Sequence, residues 1–269
     1  MAACFQPRYI RGQGPRRWET VPCGECPACI GRRRNEWTYR IQYEATKSLH
    51  CLFVTFTYSP ENMPVVSLSD ISDELPDSPT LRKRDLQLFF KRLRKLGVKF
   101  RYYAVGEYGG QTLRPHYHAI MFFNDDYSRL ADKIISSWNL GLCHLGTVEI
   151  ASIHYVTKYH IDKMDSPYYL LKEYIEPPFT LMSRKPGIGS GYINYRRSYH
   201  EGDTKKMFVT HPGGIRGSLP RYYKNKLYTE EECKEFANEC SKLHDTRSDA
   251  EKDMLYNKFQ RDKKRNKKL

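Results

Sequence analysis

The chain has no apolar run approaching the roughly 18 residues that a membrane-spanning helix needs. Hydrophobic residues make up only 39% of its 269 positions, and mean hydropathy is −0.72. Acidic residues are also in the minority, with 31 Asp and Glu against 45 Lys and Arg, so the net charge is +14 and the pI is near 9.3. This balance argues against a membrane partner and against a surface built to hold soluble cations. The opening Met1-Ala2-Ala3-Cys4-Phe5 has neither the basic stretch nor the apolar stretch of a secretion signal. The eight cysteines are therefore expected reduced, in a cytosol, where their clustering matters more than their pairing. No internal repeat is visible.

Tyrosine is abundant, with 21 residues, and aromatics reach 13%. A basic, tyrosine-rich chain suits a polyanion whose bases can stack, which means nucleic acid and single strands in particular. Tyr102, Tyr103, Tyr108 and Tyr117 are candidate stacking surfaces.

Three parts are expected along the chain: a Cys-rich segment over 1–30, a central domain over 31–228 whose later part is loop-rich, and a helical, basic tail over 229–269. Residues 1–30 read as irregular. Trp37, Ile41 and Ala45 recur at helical spacing, which predicts a helix from about Gly31 to Leu49. Cys51 to Tyr58 reads as a buried strand. Leu81 to Leu96 is the clearest helix, with an apolar stripe of Leu86, Phe89, Phe90, Leu93 and Leu96 and a natural stop at Gly97. Val98–Tyr108 and Pro115–Phe123 predict two strands joined by a turn. Tyr127–Trp138 predicts a helix, His144–Ile150 a strand and Ser152–Lys163 a helix. Prolines and glycines between 165 and 225 predict loops, and the Lys- and Arg-rich end from Lys258 to Lys268 predicts a solvated, disordered arm.

Residues 51–150 thus spell β-α-β-β-α-β, the α+β, ferredoxin-like antiparallel sheet with helices on one face. Its first and third strands are central. Alternation along the third strand sends Tyr117, Ala119, Met121 and Phe123 to the helix-covered face and His116, His118, Ile120 and Phe122 to the other. Two imidazoles on one strand can hold one divalent ion. Glu107 on the partner strand is the candidate third ligand, because a hairpin brings it opposite the histidines. Imidazole with carboxylate suits Mn²⁺ or Mg²⁺ with positions left open for phosphate oxygens. Tyr155 and Tyr159 lie one helical turn apart on the helix that follows. Their phenols can attack phosphorus if the pKa of roughly 10 is overcome by nearby positive charge, and Lys158 sits between them. Cys23, Cys26 and Cys29 stand three apart, with Cys4 as candidate fourth ligand and His50 or Cys51 as outsiders. A zinc knuckle there would order a segment with little core; an iron–sulfur cluster needs a clearer fourth ligand.

These motifs resemble those of the HUH endonucleases, the rolling-circle initiators and relaxases. Pro115-His116-Tyr117-His118-Ala119 is similar to their His-hydrophobe-His motif, Tyr155-Val156-Thr157-Lys158-Tyr159 to the two-tyrosine motif of small single-stranded DNA phages, and Phe53-Val54-Thr55-Phe56-Thr57 to their first motif. The stretches 23–29, 81–87, 182–189 and 219–223 resemble the microvirus replication initiators, the gokushovirus type in particular. The resemblance covers roughly 1–228. It implies metal ligation by His116 and His118, attack by Tyr155 and Tyr159 with Lys158 assisting, a nick at a phage origin, a 5′-phosphotyrosine and a 3′-hydroxyl primer, and later rejoining. It further implies single-stranded origin DNA as partner, a host helicase and DNA polymerase, and the cytoplasm of a bacterial host. No Walker A loop is present, so unwinding is assigned to that helicase. The rival readings are a relaxase or transposase with the same chemistry and a noncatalytic single-stranded DNA-binding protein.

Overall fold

The computed structural model describes residues 4–12, 18–69, 77–110, 112–159, 174–202, 206–211, 214, 216–244 and 248–266. They fall into two compact units, one of residues 1–39 with 191–269 and the other of residues 40–190. Among the described residues, no helix is long and apolar enough to cross a membrane.

In chain order the strands are β1 (Arg8–Arg11), β2 (Trp18–Val21), β3 (His50–Thr57), β4 (Val65–Val66), β5 (Ser78–Pro79), β6 (Arg101–Tyr108), β7 (Pro115–Phe123), β8 (Cys143–Thr147), β9 (Phe179–Met182), β10 (Phe208–Thr210) and β11 (Arg216–Ser218). The helices are α1 (Pro27–Thr46), α2 (Lys83–Lys95), α3 (Leu130–Ser137), α4 (Ile150–Tyr159), α5 (Gly191–Glu201), α6 (Arg221–Leu227), α7 (Glu230–His244) and α8 (Asp249–Asn266).

The unit of residues 40–190 is the α+β, ferredoxin-like domain that the sequence predicts. Its five-stranded sheet has the order β8-β3-β7-β6-β9, with every neighbouring pair antiparallel. The β-α-β-β-α-β run supplies four of these strands, with the first and third inside, and β9 adds a fifth at the β6 edge. Alternation settles the faces. Tyr117, Ala119, Met121 and Phe123 pack into a core with Val54, Phe56, Leu86, Phe89, Leu93 and Trp138. Helix α2 forms because Leu86, Phe89, Phe90 and Leu93 fall on one stripe while most of its remaining positions are charged. Burying each of these side chains contributes about 1.5–3 kcal/mol. On the opposite face Ile120 and Phe122 are also buried, and α4 packs against β6 and β7.

Several expected boundaries move. Helix α1 begins at Pro27, where a proline in the first turn lacks only an amide that would be unpaired anyway. Helix α3 is shorter than expected because Arg129 takes a left-handed conformation, φ 54°, at its start. The helix expected to reach Lys163 falls partly outside the described residues; α4 is described to Tyr159.

The unit of residues 1–39 and 191–269 corrects three expectations. Residues 1–30 are not wholly irregular, since β1 pairs with β2 in an antiparallel hairpin. The stretch expected to be loop-rich carries α5, the β10–β11 hairpin and α6. Tyr192, Tyr223 and Tyr39 cluster there by stacking and edge contacts. The basic tail is helical through Asn266 rather than a disordered arm.

Candidate metal and nucleophile site

The register of β6 on β7 sets Glu107 directly opposite His116. Glu107, His116 and His118 each offer a ligand atom, and these atoms lie within 4.8 Å of one another. Glu107 Oε1 is 2.8 Å from His116 Nε2 and 3.0 Å from His118 Nε2, the latter an ion-pair distance without the alignment of a hydrogen bond. Glu107 is 2% exposed and His118 8%.

Both imidazoles are held from behind. His116 Nδ1 meets the Arg114 carbonyl at 3.1 Å, and His118 Nδ1 meets the Thr55 hydroxyl at 3.0 Å. Such contacts to Nδ1 fix ring orientation and leave Nε2 for the site. Phe53 stacks on His118 with centroids 5.3 Å apart. Burial works to raise the Glu107 carboxyl, but the hydrogen bonds and charge of His116, with His118 and Tyr155, outweigh it and hold the group at about 2. Burial works to lower His116, and its bonds to Glu107 and the Arg114 carbonyl outweigh that and raise it.

Two buried polar atoms test whether a cation fits. Glu107 Oε2 and His118 Nε2 have no hydrogen-bond partner. Leaving such atoms unmatched costs about 1–3 kcal/mol each. Both can donate a lone pair, so the donor set fits a divalent ion, with two nitrogens and a carboxylate in the mixture that Mn²⁺ or Mg²⁺ tolerates.

Helix α4 brings Tyr155 to this cluster. Its hydroxyl donates to Glu107 Oε1 at 2.8 Å, and its ring lies edge-on to His118 at 4.9 Å. Buried Ile153, Val156 and Thr157 fix the helix, while Tyr155 remains 38% exposed. Lys158 is exposed on the same helix. Tyr159 closes α4, and its side chain lies outside the described residues.

The expected stacking surfaces need correction. Tyr103, Tyr108 and Tyr117 are core residues, and half-buried Tyr102 stacks on Phe90 at 3.8 Å beneath Arg94. The exposed aromatics are elsewhere: Tyr9 at 73%, Trp18 at 69% and Tyr195 at 68%.

Sequence reasoning missed Thr55 and a basic cleft. Thr55 pairs with His118 in the β3–β7 register, but the sequence does not reveal that register. The cleft, about 590 Å³, is lined by Gln87, Arg94, Tyr102, Ser183, Arg184 and Lys185. The loop that forms one wall is clamped. Arg101 donates to the carbonyls of Pro186 and Gly187 and pairs with Glu44, Glu44 accepts from the Gly189 amide at 2.6 Å, and Arg40 donates to the Ile188 carbonyl at 3.0 Å. The stretch 182–189 is thereby held with Arg184 and Lys185 exposed.

The four cysteines also meet. Cys4, Cys23, Cys26 and Cys29 place their Sγ atoms within 4.8 Å of one another. The outsiders do not join: His50 pairs with Asp126, and Cys51 contacts the Ala45 carbonyl.

Comparison with known proteins gives consistent results. The family model described as replication-associated protein of the ORF2 type matches residues 51–165. Replication-associated protein ORF2 of Spiroplasma virus 4 is 31% identical over 229 residues, covering 79% of this chain and 69% of that protein. Replication-associated protein VP4 of Bdellovibrio phage phiMH2K is 28% identical over 232 residues, covering 76% and 66%. Replication-associated protein ORF4 of Chlamydia phage 1 is 24% identical over 230 residues, covering 77% and 53%, so the match spans about half of that protein. No solved structure matches the chain.

Proposed function

Since the chain belongs to the family of phage replication-associated proteins of the ORF2 type, we propose that it is a metal-dependent DNA-nicking and strand-joining enzyme that starts rolling-circle replication. The observation that carries this reading is the contact of the Tyr155 hydroxyl with a carboxylate flanked by two histidines.

Held by His116, His118 and Glu107, a Mn²⁺ or Mg²⁺ ion would polarise the scissile phosphate and offset its developing charge. The Tyr155 oxygen attacks phosphorus as its proton leaves. The P–O3′ bond breaks, the 3′-oxygen gains a proton, and the DNA 5′-phosphate stays on the phenol. Attack by a 3′-hydroxyl on that phosphotyrosine reverses the step and joins strands. Tyr159, assigned by resemblance, takes the second attack, and Lys158 faces the phosphate. The freed 3′-hydroxyl primes a host polymerase, with strand separation by a host helicase, in the bacterial cytoplasm.

Single-stranded origin DNA is the substrate this reading requires. The net charge of +14 and the basic cleft along 182–189 support phosphate contacts outside the reacting site. The test is incubation with labelled single-stranded DNA and Mn²⁺. Wild type cuts, chelation stops cutting, and Tyr155→Phe with Tyr159→Phe binds DNA without cutting. A wild-type chain that binds DNA, holds Mn²⁺ and cuts nothing across a sequence library would contradict the nicking reading and favour a noncatalytic binding protein.

A further inference from the structure

The reaction above uses none of the four thiols near the start of the chain. They come from three places: Cys4 ahead of β1, Cys23 and Cys26 in the turn after β2, and Cys29 in the first turn of α1. Cys26 is 1% exposed and Cys29 6%. All four are free of disulfides.

Their spacing identifies the guest. Cys23 Sγ lies 4.0 Å from Cys29 Sγ, and Cys26 Sγ lies 3.9 Å from Cys4 Sγ. Four sulfurs placed about 2.3 Å from one ion form a tetrahedron with edges of about 3.8 Å. A disulfide needs about 2.05 Å, much less than either separation. A four-iron cluster sets its thiolates on the corners of an iron–sulfide cube, much farther apart than these sulfurs. The spacing thus fits one ion and neither alternative.

Backbone amides also point at the sulfurs. The Cys23 amide donates to Cys4 Sγ at 3.2 Å, the Cys26 amide to Cys23 Sγ at 3.3 Å and the Phe5 amide to Cys26 Sγ at 3.5 Å. Such donors favour thiolate, the form that ligates metal. Gly24, at φ +80°, permits the tight turn between the first two ligands of the Cys-x-x-Cys pair.

The hairpin between the ligands gives the site a purpose. Every residue of β1 is exposed, and β2 is at best half-buried. A lone two-stranded hairpin is marginal in water, and neither strand of this one has a buried side chain to hold it. Cys4 stands on one side of it, and Cys23 and Cys26 on the other. An ion ligated by all four would fasten both ends of the hairpin to the start of α1.

We propose that Cys4, Cys23, Cys26 and Cys29 bind one Zn²⁺ as a closed tetrathiolate site that secures the hairpin of β1 and β2. Each thiol gives up its proton on binding. With four protein ligands the site has no open position, so its role is structural. Zinc is preferred over other ions of this geometry because it combines thiolate affinity with redox inertness. The thiolate site stands whether or not the chain nicks DNA.

The test is elemental analysis of the full chain, purified reduced and dialysed against mild chelator to strip the histidine–carboxylate site. The expected result is one zinc per chain, retained in His118→Ala and lost in Cys26→Ser. Cobalt substitution of the wild type should give the intense visible absorption of tetrahedral thiolate cobalt, which histidine and carboxylate ligands do not give. Because Cys26→Ser can unfold its surroundings, the wild type is also titrated with an organomercurial. One zinc should leave per four thiols, and trypsin should then cut at Arg8 and Arg11. Zinc absent from reduced protein together with no thiolate-cobalt spectrum, iron accompanied by sulfide, or zinc lost with His118 and kept without Cys26 would each overturn the site. Zinc release with unchanged tryptic protection would overturn its role in holding the hairpin.

Discussion

Tyr117→Phe separates the two faces of β7. The Tyr117 ring is buried between the two histidine positions and points away from them, into the helix-covered core. Its hydroxyl lies 2.6 Å from the Tyr58 hydroxyl, accepts from the Arg82 amide at 2.9 Å and donates to the Arg82 carbonyl at 3.1 Å. Removing it leaves most partners satisfied. Tyr58 still donates to Asp85 at 2.8 Å, and the Arg82 carbonyl still accepts from the Asp85 amide at 3.1 Å. The Arg82 amide is the group left without its acceptor. Such a loss costs about 1–3 kcal/mol, and the exposure of Arg82 places it in the lower half, about 1–2 kcal/mol. At about 2–4 °C per kcal/mol for a domain of this size, Tm falls by about 2–8 °C. Mn²⁺ affinity, read by calorimetry below the transition, stays within about twofold of wild type, a difference of about 0.4 kcal/mol when tenfold is about 1.4 kcal/mol. His118→Ala does the converse, losing Mn²⁺ binding with less loss of Tm. If Tyr117→Phe abolished Mn²⁺ binding as His118→Ala does, the separation of core and site by strand alternation would be refuted.

Thr55→Val keeps the shape of the side chain and removes the oxygen behind His118, so Mn²⁺ affinity should fall about 10–100-fold, which calorimetry reads; unchanged affinity would mean that the contact positions nothing. Arg184→Ala with Lys185→Ala should weaken single-strand binding and shallow the salt dependence by about 0.7 per lost phosphate contact, with cleavage at saturating DNA unchanged. An unaltered salt slope would remove the cleft from the DNA path. Glu44→Ala unpairs Arg101 and the Gly189 amide, so proteolysis of the 182–189 loop should rise; equal protection would show that the clamp is dispensable.

The reacting site is legible in the sequence because it rests on local rules. Period-two alternation places His116 and His118 together, a hairpin brings Glu107 opposite, and the following helix can return over the open face. What depends on distant pairing is not legible. Thr55 joins the site through the β3–β7 register, and β9 is obscured by Pro177-Pro178 and pairs with β6 from about seventy positions away. The hairpin of β1 and β2 escapes because both faces are largely solvated, so no alternation marks it. Tyr102, Tyr103, Tyr108 and Tyr117 mislead for the opposite reason. Tyrosine has an apolar body and a polar tip, and here partners such as the Leu81 amide and the Glu176 carbonyl for Tyr108 allow burial. Composition cannot distinguish a tyrosine satisfied in the core from one waiting for a base. The convergence of the four cysteines is legible in part, since the spacing of three is local, while the arrival of Cys4 requires the hairpin.

Mass spectrometry of the chain after reaction with single-stranded origin DNA and Mn²⁺ addresses the proposed chemistry without intermediaries. A nucleotide phosphate is expected on the peptide holding Tyr155, absent under chelation and absent from that position in Tyr155→Phe. DNA cleavage that proceeds with no tyrosine adduct, or equally well when Tyr155 and Tyr159 are both phenylalanine, would contradict attack by tyrosine.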